Sequence, residues 1–349
     1  LNRSLRVGLR WGLGALAGVM VCVGVWVFWA ERNPELEREA RIQIQEYLEE
    51  QFPEGMTLPD EMLGFVPRSE MFPDDRPPRV VLVHGLDEPG GIWDELVLAL
   101  DDAGINAWEF RYPNDQAIDH SADLLAEYWQ ELDSPESVVL VGHSMGGLVI
   151  RDFVTRWRYP EDGPSRVEGR PVDGVILVAT PNQGSDWARL RVWLEVREFF
   201  ADASEGRFSL FAGLRDGTGA AKIDLRPDST FLSELNDRSW PKGIDVHILG
   251  GILSEPTPAM KTSLRVLAED LDSAELVDDL VDRWREAGKG IGDGAVPAQS
   301  LEMSGAPSPE LLVASHRGLL VPISTDDGQP PAIAPILEIL QSREKVGTD

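Results

Sequence analysis

Cysteine is almost absent: the chain of 349 residues holds one, Cys22, which excludes an intrachain disulfide and a thiolate metal cluster. Basic residues are scarce too. Only 32 Lys and Arg stand against 60 Asp and Glu, a formal charge of −28. Phosphate would be repelled over most of such a surface, which argues against DNA or RNA as a partner. Histidine is sparse, with five in all. No His, Cys and Asp residues gather at ligand spacing, so neither a metal nor an organic cofactor is expected. No internal repeat or low-complexity tract interrupts the chain, and the acid excess reads as a solvated surface adapted to salt or alkali.

Charge is missing altogether from Trp11 to Ala30. About twenty such residues match the hydrocarbon thickness of a bilayer as a helix. Trp11, Trp26 and Trp29 lie near its ends, as an aromatic belt would. A cleaved signal peptide is the rival reading, but Val27-Phe28-Trp29-Ala30 makes a poor cleavage site. The expectation is a single-pass transmembrane anchor over residues 1–30. Arg3, Arg6 and Arg10 put the amino end in the cytoplasm and the remainder in a periplasmic or extracellular space.

Residues 31–78 read as a juxtamembrane helix and a linker. Asn33-Pro34 supplies a helix start. Leu36, Ala40, Ile44, Tyr47 and Leu48 share one face, expected to rest on the globular body or on the membrane. Pro53 to Pro78 is rich in proline and acids without periodicity. From Arg79 to the carboxyl end, strand and helix patterns alternate, which predicts βα units and a parallel sheet. Strands are expected at 79–84, 106–111, 138–141, 172–179, 245–250 and 310–314. Helices are expected at 92–103, 117–132, after 147, and at 333–341.

The most informative stretch is Gly142-His143-Ser144-Met145-Gly146-Gly147. A buried strand precedes it and an uninterrupted apolar helix pattern follows. A serine with glycines two positions either side, between strand and helix, is the nucleophile-elbow pattern. The glycines are expected because the strained serine backbone crowds its i−2 and i+2 neighbours together. The segment resembles the α/β-hydrolase superfamily, closest to bacterial lipases and GPI-inositol-deacylase-like esterases. That resemblance implies a mostly parallel, doubly wound sheet with helices on both faces, here from the third strand of the superfamily onward.

An acyl-transfer serine needs a histidine base and a carboxylate to orient it, and in this superfamily they follow the serine in the order acid, then histidine. His84, His120, His143 and His247 precede any candidate acid. His316, directly after the last expected strand, is the expected base. Gly292-Asp293-Gly294-Ala295-Val296-Pro297 resembles the lipase aspartate loop, which makes Asp293 the expected acid; Glu255, nearer the preceding strand, is its rival. A helical insertion at 260–287 would account for the delay before Asp293. The oxyanion donors implied are the backbone N–H groups of Met145 and of Leu86 in His84-Gly85-Leu86.

Residues 181–243 separate two expected strands by more than an ordinary connection. Within them Trp187, Leu190, Trp193 and Leu194 belong to a helix apolar on more than one face, either a packed subdomain or a cap that binds acyl chains. The reading that results is a membrane-anchored serine ester hydrolase acting on lipid or other acyl esters, with no obligate protein partner. Thioesterase or amidase chemistry uses the same residues. The rival from another class is a non-catalytic, membrane-tethered binding module on the same fold.

Overall fold

The computed structural model describes residues 28–59, 62–86, 91–132, 134–186, 217–253, 290–322 and 328–346, together with 18, 21, 24–26, 88 and 215. Seven strands form one sheet: β1 (Gly64–Pro67), β2 (Val80–Val83), β3 (Ala107–Arg111), β4 (Val138–His143), β5 (Val172–Val178), β6 (Asp245–Ile252) and β7 (Glu310–Val313). Their order is β1-β3-β2-β4-β5-β6-β7. Every pair is parallel except β1 with β3. The helices are α1 (Pro34–Gln51), α2 (Pro53–Met56), α3 (Asp94–Asp102), α4 (Ile118–Trp129), α5 (Met145–Asp152), α6 (Ala220–Asp224), α7 (Thr230–Asp237) and α8 (Ile333–Val346). A π-helical turn, Phe153–Arg158, extends α5.

The apolar runs are continuous because a central parallel strand is covered on both faces. Val138 and Leu140 of β4 enter one core, beside Val81, Val175 and Ile248, under α4 and α5. Val139 and Val141 enter the other, beside Val80, Leu82 and Ile176, under α3 and α8. One strand thus feeds two layers, and β4 is buried along its whole length. The expected strands and helices of residues 79–341 that fall in the described residues are all found, with shifts at their ends.

Two expectations need correction. The stretch read as a linker contains β1, whose Gly64 pairs with Arg111 and Pro67 with Trp108. A four-residue edge strand is too short for alternation to register, and its proline is tolerated because an edge lacks one partner. The second concerns α1. Of the face expected to rest on the body or on the membrane, Leu36, Ile44 and Tyr47 are 52%, 49% and 60% exposed and do not meet the body, while Ala40 and Leu48 are partly buried. The helix docks through its charged side instead. Arg38 reaches Asp224 at 2.6 Å and Asp119 at 2.7 Å. Glu37, nearly inaccessible, binds Arg41 at 2.8 Å and Arg226 at 3.3 Å. Buried carboxylates and guanidinium groups must meet, and that requirement outweighs the apolar stripe.

The span expected over Trp11–Ala30 lies mostly outside the described residues; those that are described are helical, with Val21, Val25 and Phe28 exposed. Among the described residues, no helix is long and apolar enough to cross a membrane. Residues 187–214 of the expected cap, with Trp187, Leu190, Trp193 and Leu194, lie outside the described residues, as do the insertion at 260–287 and Glu255. The later part of the 181–243 stretch contributes α6 and α7, and α6 is the element that α1 grips.

Asp224 is completely buried. Burial outweighs the attraction of Arg38 and pushes its carboxyl up to about 7. A carboxyl raised in the folded state above its unfolded value near 4 favours folding less as pH climbs between the two. The Tm of Asp224→Asn minus that of the parent is therefore expected to rise from about pH 4 to about pH 7 and stay level above. A difference that is flat or falls over that window in parallel thermal melts would contradict the assignment.

Candidate active site

β4 ends at His143 and α5 begins at Met145, leaving Ser144 alone at the corner with φ 53° and ψ −126°. A residue with a Cβ avoids this region, at a cost of roughly 1–3 kcal/mol. The corner is held by the Ser144 N–H, which donates to Val178 O at 2.8 Å. The neighbouring glycines are required by what each meets elsewhere, not by pressing on each other. A Cβ on Gly142 would lie 2.7 Å from the backbone of Gly147, whereas one on Gly146 would collide with the carbonyl oxygens of Val83 and His84. Gly147 is equally constrained, since its Cβ would strike Thr180 Oγ1.

The loop after β2 runs directly against the serine. A Cβ on Gly85 would come within 2.8 Å of Ser144 Cβ and 3.5 Å of Ser144 Oγ. Leu86, the next residue, is buried. This loop is fastened by Tyr112, which sequence reasoning missed: its hydroxyl donates to His84 O at 2.6 Å, and the two rings stack with centroids 4.6 Å apart. Met145 is the first residue of α5, so its N–H has no acceptor within the helix and lies at the positive end of the helix dipole.

Asp293 is 2% exposed, and both carboxylate oxygens are engaged. Oδ1 accepts from the N–H groups of Ala295 at 2.8 Å and Val296 at 2.7 Å. Oδ2 lies 2.8 Å from His316 Nδ1, and His316 N–H donates to Asp293 O at 3.0 Å. Gly292 and Gly294, at φ 71° and 95°, allow the turn that presents the carboxylate. Although Asp293 comes late in the chain, it sits at the end of β6: a Cβ on Gly251 would lie 2.6 Å from Asp293 Cβ. That is the position to which Glu255 is nearer in sequence.

His316 follows β7 and is partly exposed. Its ring lies 4.7 Å from that of His143, the residue before the serine. His143 itself is fully buried and meets Glu88, a contact with no local sequence signal. Among the described residues no hydrogen bond reaches Ser144 Oγ. A cavity of about 560 Å³ opens beside α1, α2 and α4, lined by Met56, Leu58, His120, Leu124 and Arg215 among others. Neither Ser144, Asp293 nor His316 lines it. Among the described residues no cluster of His, Cys, Asp and Glu could hold a metal ion.

The sequence profile of the alpha/beta hydrolase family matches residues 80–294. Among solved structures, the Staphylococcus hyicus lipase aligns with a TM-score of 0.52 and 13% identity, over 78% of this chain and 100% of that one. The mature Bacillus licheniformis lipase is similar at a TM-score of 0.47 and 16% identity, over 79% and 96% of the two chains. Phospholipase PlaB of Legionella pneumophila gives 0.48 and 17%, over 75% and 59%. At such identities the likeness concerns the fold alone. No curated protein sequence matches the chain. The matched segment runs from β2 through the elbow to the aspartate loop, more than half of the whole, and on that ground the chain belongs to the alpha/beta hydrolase family.

Proposed function

We propose that this hydrolase cleaves carboxylic esters through a Ser144–His316–Asp293 triad. The observation that carries the reading is the 2.8 Å contact of His316 Nδ1 with a buried, doubly hydrogen-bonded Asp293, beside a serine in a strained corner. With Nδ1–H donated to Asp293, the proton-free Nε2 is the basic nitrogen, as a general base requires. His316 takes the proton of Ser144 while Oγ attacks the ester carbonyl. The oxyanion is met by the N–H groups of Leu86 and Met145. His316 then returns the proton to the departing alcohol, leaving an acyl-serine. Water, deprotonated by the same nitrogen, releases the acid and restores the serine.

The substrate side rests on sequence. Trp187, Leu190, Trp193 and Leu194 are assigned to the acyl group, and the uncharged stretch before Glu31 to a membrane tether that leaves the catalytic domain periplasmic or extracellular. The S. hyicus neighbour is a lipase, which agrees with an acyl-ester substrate without specifying one. The binding-module alternative is disfavoured because all three triad residue types are present in order. Two of them are already joined.

Ser144→Ala is expected to lose about 10⁴-fold or more of the p-nitrophenyl esterase activity while remaining folded, and to escape labelling by a fluorophosphonate that marks the parent. Retained turnover would remove Ser144 from the mechanism. Asp293→Asn should leave the fold intact and lower kcat by about 10³–10⁴-fold, because an amide no longer fixes the histidine tautomer; near-parental kcat would return Glu255 as the acid. Across a chain-length series of esters, activity is expected to favour long chains and to rise with vesicles or detergent. Preference for short, soluble esters would separate the apolar stretch from the substrate.

A further inference from the structure

Leu86 N–H is assigned to the oxyanion, yet Leu86 follows Gly85, and a glycine leaves the peptide units on either side of it unusually free to turn. The two units around Gly85 are nevertheless held from outside. The carbonyl oxygen of the first, His84 O, accepts from the Tyr112 hydroxyl at 2.6 Å. It also lies against the elbow, where a Cβ on Gly146 would collide with it. The carbonyl oxygen of the second, Gly85 O, is hydrogen-bonded to His84 Nδ1 at 3.0 Å. A carbonyl oxygen can only accept, so Nδ1 carries the hydrogen of this bond; one ring proton is enough.

The second bond sets the donor. In a trans peptide the C=O and N–H point to opposite sides of one rigid plane, and among the described residues no peptide bond is cis. Gly85 O and Leu86 N–H belong to the same plane. Holding the oxygen beside the His84 ring therefore fixes the N–H on the far side. The ring is itself held, because it is buried and stacks on Tyr112 with centroids 4.6 Å and planes 21° apart. Tyr112 is buried in turn and stacks at 5.5 Å on Phe110, a fully buried residue of β3. An unbroken series of contacts thus runs from the sheet to the Leu86 N–H, through Phe110, Tyr112, the His84 ring and Gly85 O.

We propose that Tyr112 and His84 are positioning residues of the oxyanion hole. Tyr112 acts through its hydroxyl on His84 O and its ring on the imidazole, and His84 through Nδ1–H on Gly85 O. The role rests on the triad reading above, with Leu86 as a donor. Neither side chain is assigned a contact with a reacting atom. With either bond lost, the Gly85–Leu86 unit turns more freely. The donor then meets the oxyanion less often in the orientation that the transition state needs. The ester carbonyl carries little charge before attack, so substrate binding is little affected.

The test uses the full chain as the parent, Ser144→Ala, Tyr112→Phe and His84→Phe; the last two keep an aromatic ring and each remove one hydrogen bond. Two readouts are compared: kcat and KM on a p-nitrophenyl ester, and the Ki of an alkyl trifluoromethyl ketone. The ketone reports on the donors directly. Ser144 Oγ adds to its carbonyl carbon, the hydroxyl proton passes to His316, and the carbonyl oxygen becomes the oxyanion. Tyr112→Phe and His84→Phe are each expected to lower kcat about tenfold or more, short of the roughly 10²–10³-fold loss that follows removal of a whole donor. KM should stay nearly unchanged, and the ketone Ki should rise by a factor similar to the fall in kcat. A packing role alone would lower Tm and leave kcat and Ki as they are. That result in one variant removes its residue from the proposal, and in both it overturns the proposal, as does a fall in kcat without a matching rise in Ki. If Ser144→Ala keeps its turnover, the triad reading fails and the positioning role with it. If Ser144→Ala is inactive while both phenylalanine variants match the parent, the positioning role alone fails.

Discussion

The carboxyl edge of the sheet is organised around one backbone torsion, the φ of 53° at Ser144. Strain of this kind persists only where the surroundings permit nothing else. Those surroundings are approaches too close for a side chain: Gly85 against the Ser144 side chain, Gly142 against the Gly147 backbone, and Gly146 against the carbonyls of Val83 and His84. Behind the corner, Leu148, Val149, Ile150 and Phe153 are fully buried. α5 therefore cannot relax outward without emptying a core. Stability of the two-layered fold is what keeps the hydroxyl presented.

A second constraint is the shortage of positive charge. Several arginines are placed where carboxylates have left water. Glu37 has Arg41 and Arg226, Glu109 has Arg68 and Arg111, Asp152 has Arg156 and Arg238, and Asp224 has Arg38. Asp293 meets two backbone amides and a histidine instead. Each of these acids would be prohibitively unfavourable in the interior without such partners. Many of the other described acids face solvent, where added salt screens their self-repulsion while leaving the buried pairs largely unaffected.

What was legible in the sequence follows from range. β4 and its neighbours are read from a few adjacent apolar residues, and the elbow from six. The aspartate loop carries its own turn chemistry in Gly292 and Gly294, so Asp293 could be singled out despite its distance from β6. The face by which α1 docks was not legible, because it depends on Asp119 and Asp224, far along the chain. A helical wheel scores Leu36, Ile44 and Tyr47 as the inward side with no knowledge of those acids. β1 was hidden for a different reason: four residues at an edge need only one paired side and show no alternation. Glu88 carries no pattern at all, and its partner is identified only once β2 and β4 lie side by side.

Leu253 N–H donates to Gly292 O at 2.7 Å. Through that bond the chain leaves β6 and re-enters the aspartate loop at almost one point. What lies between the two residues is closed at its base, and its closure entropy grows only with the logarithm of its length. Lengthening or trimming it would leave Asp293 where it is. The stem is thus a natural grafting point, where evolution or an engineer could exchange the intervening segment and keep Asp293 in register.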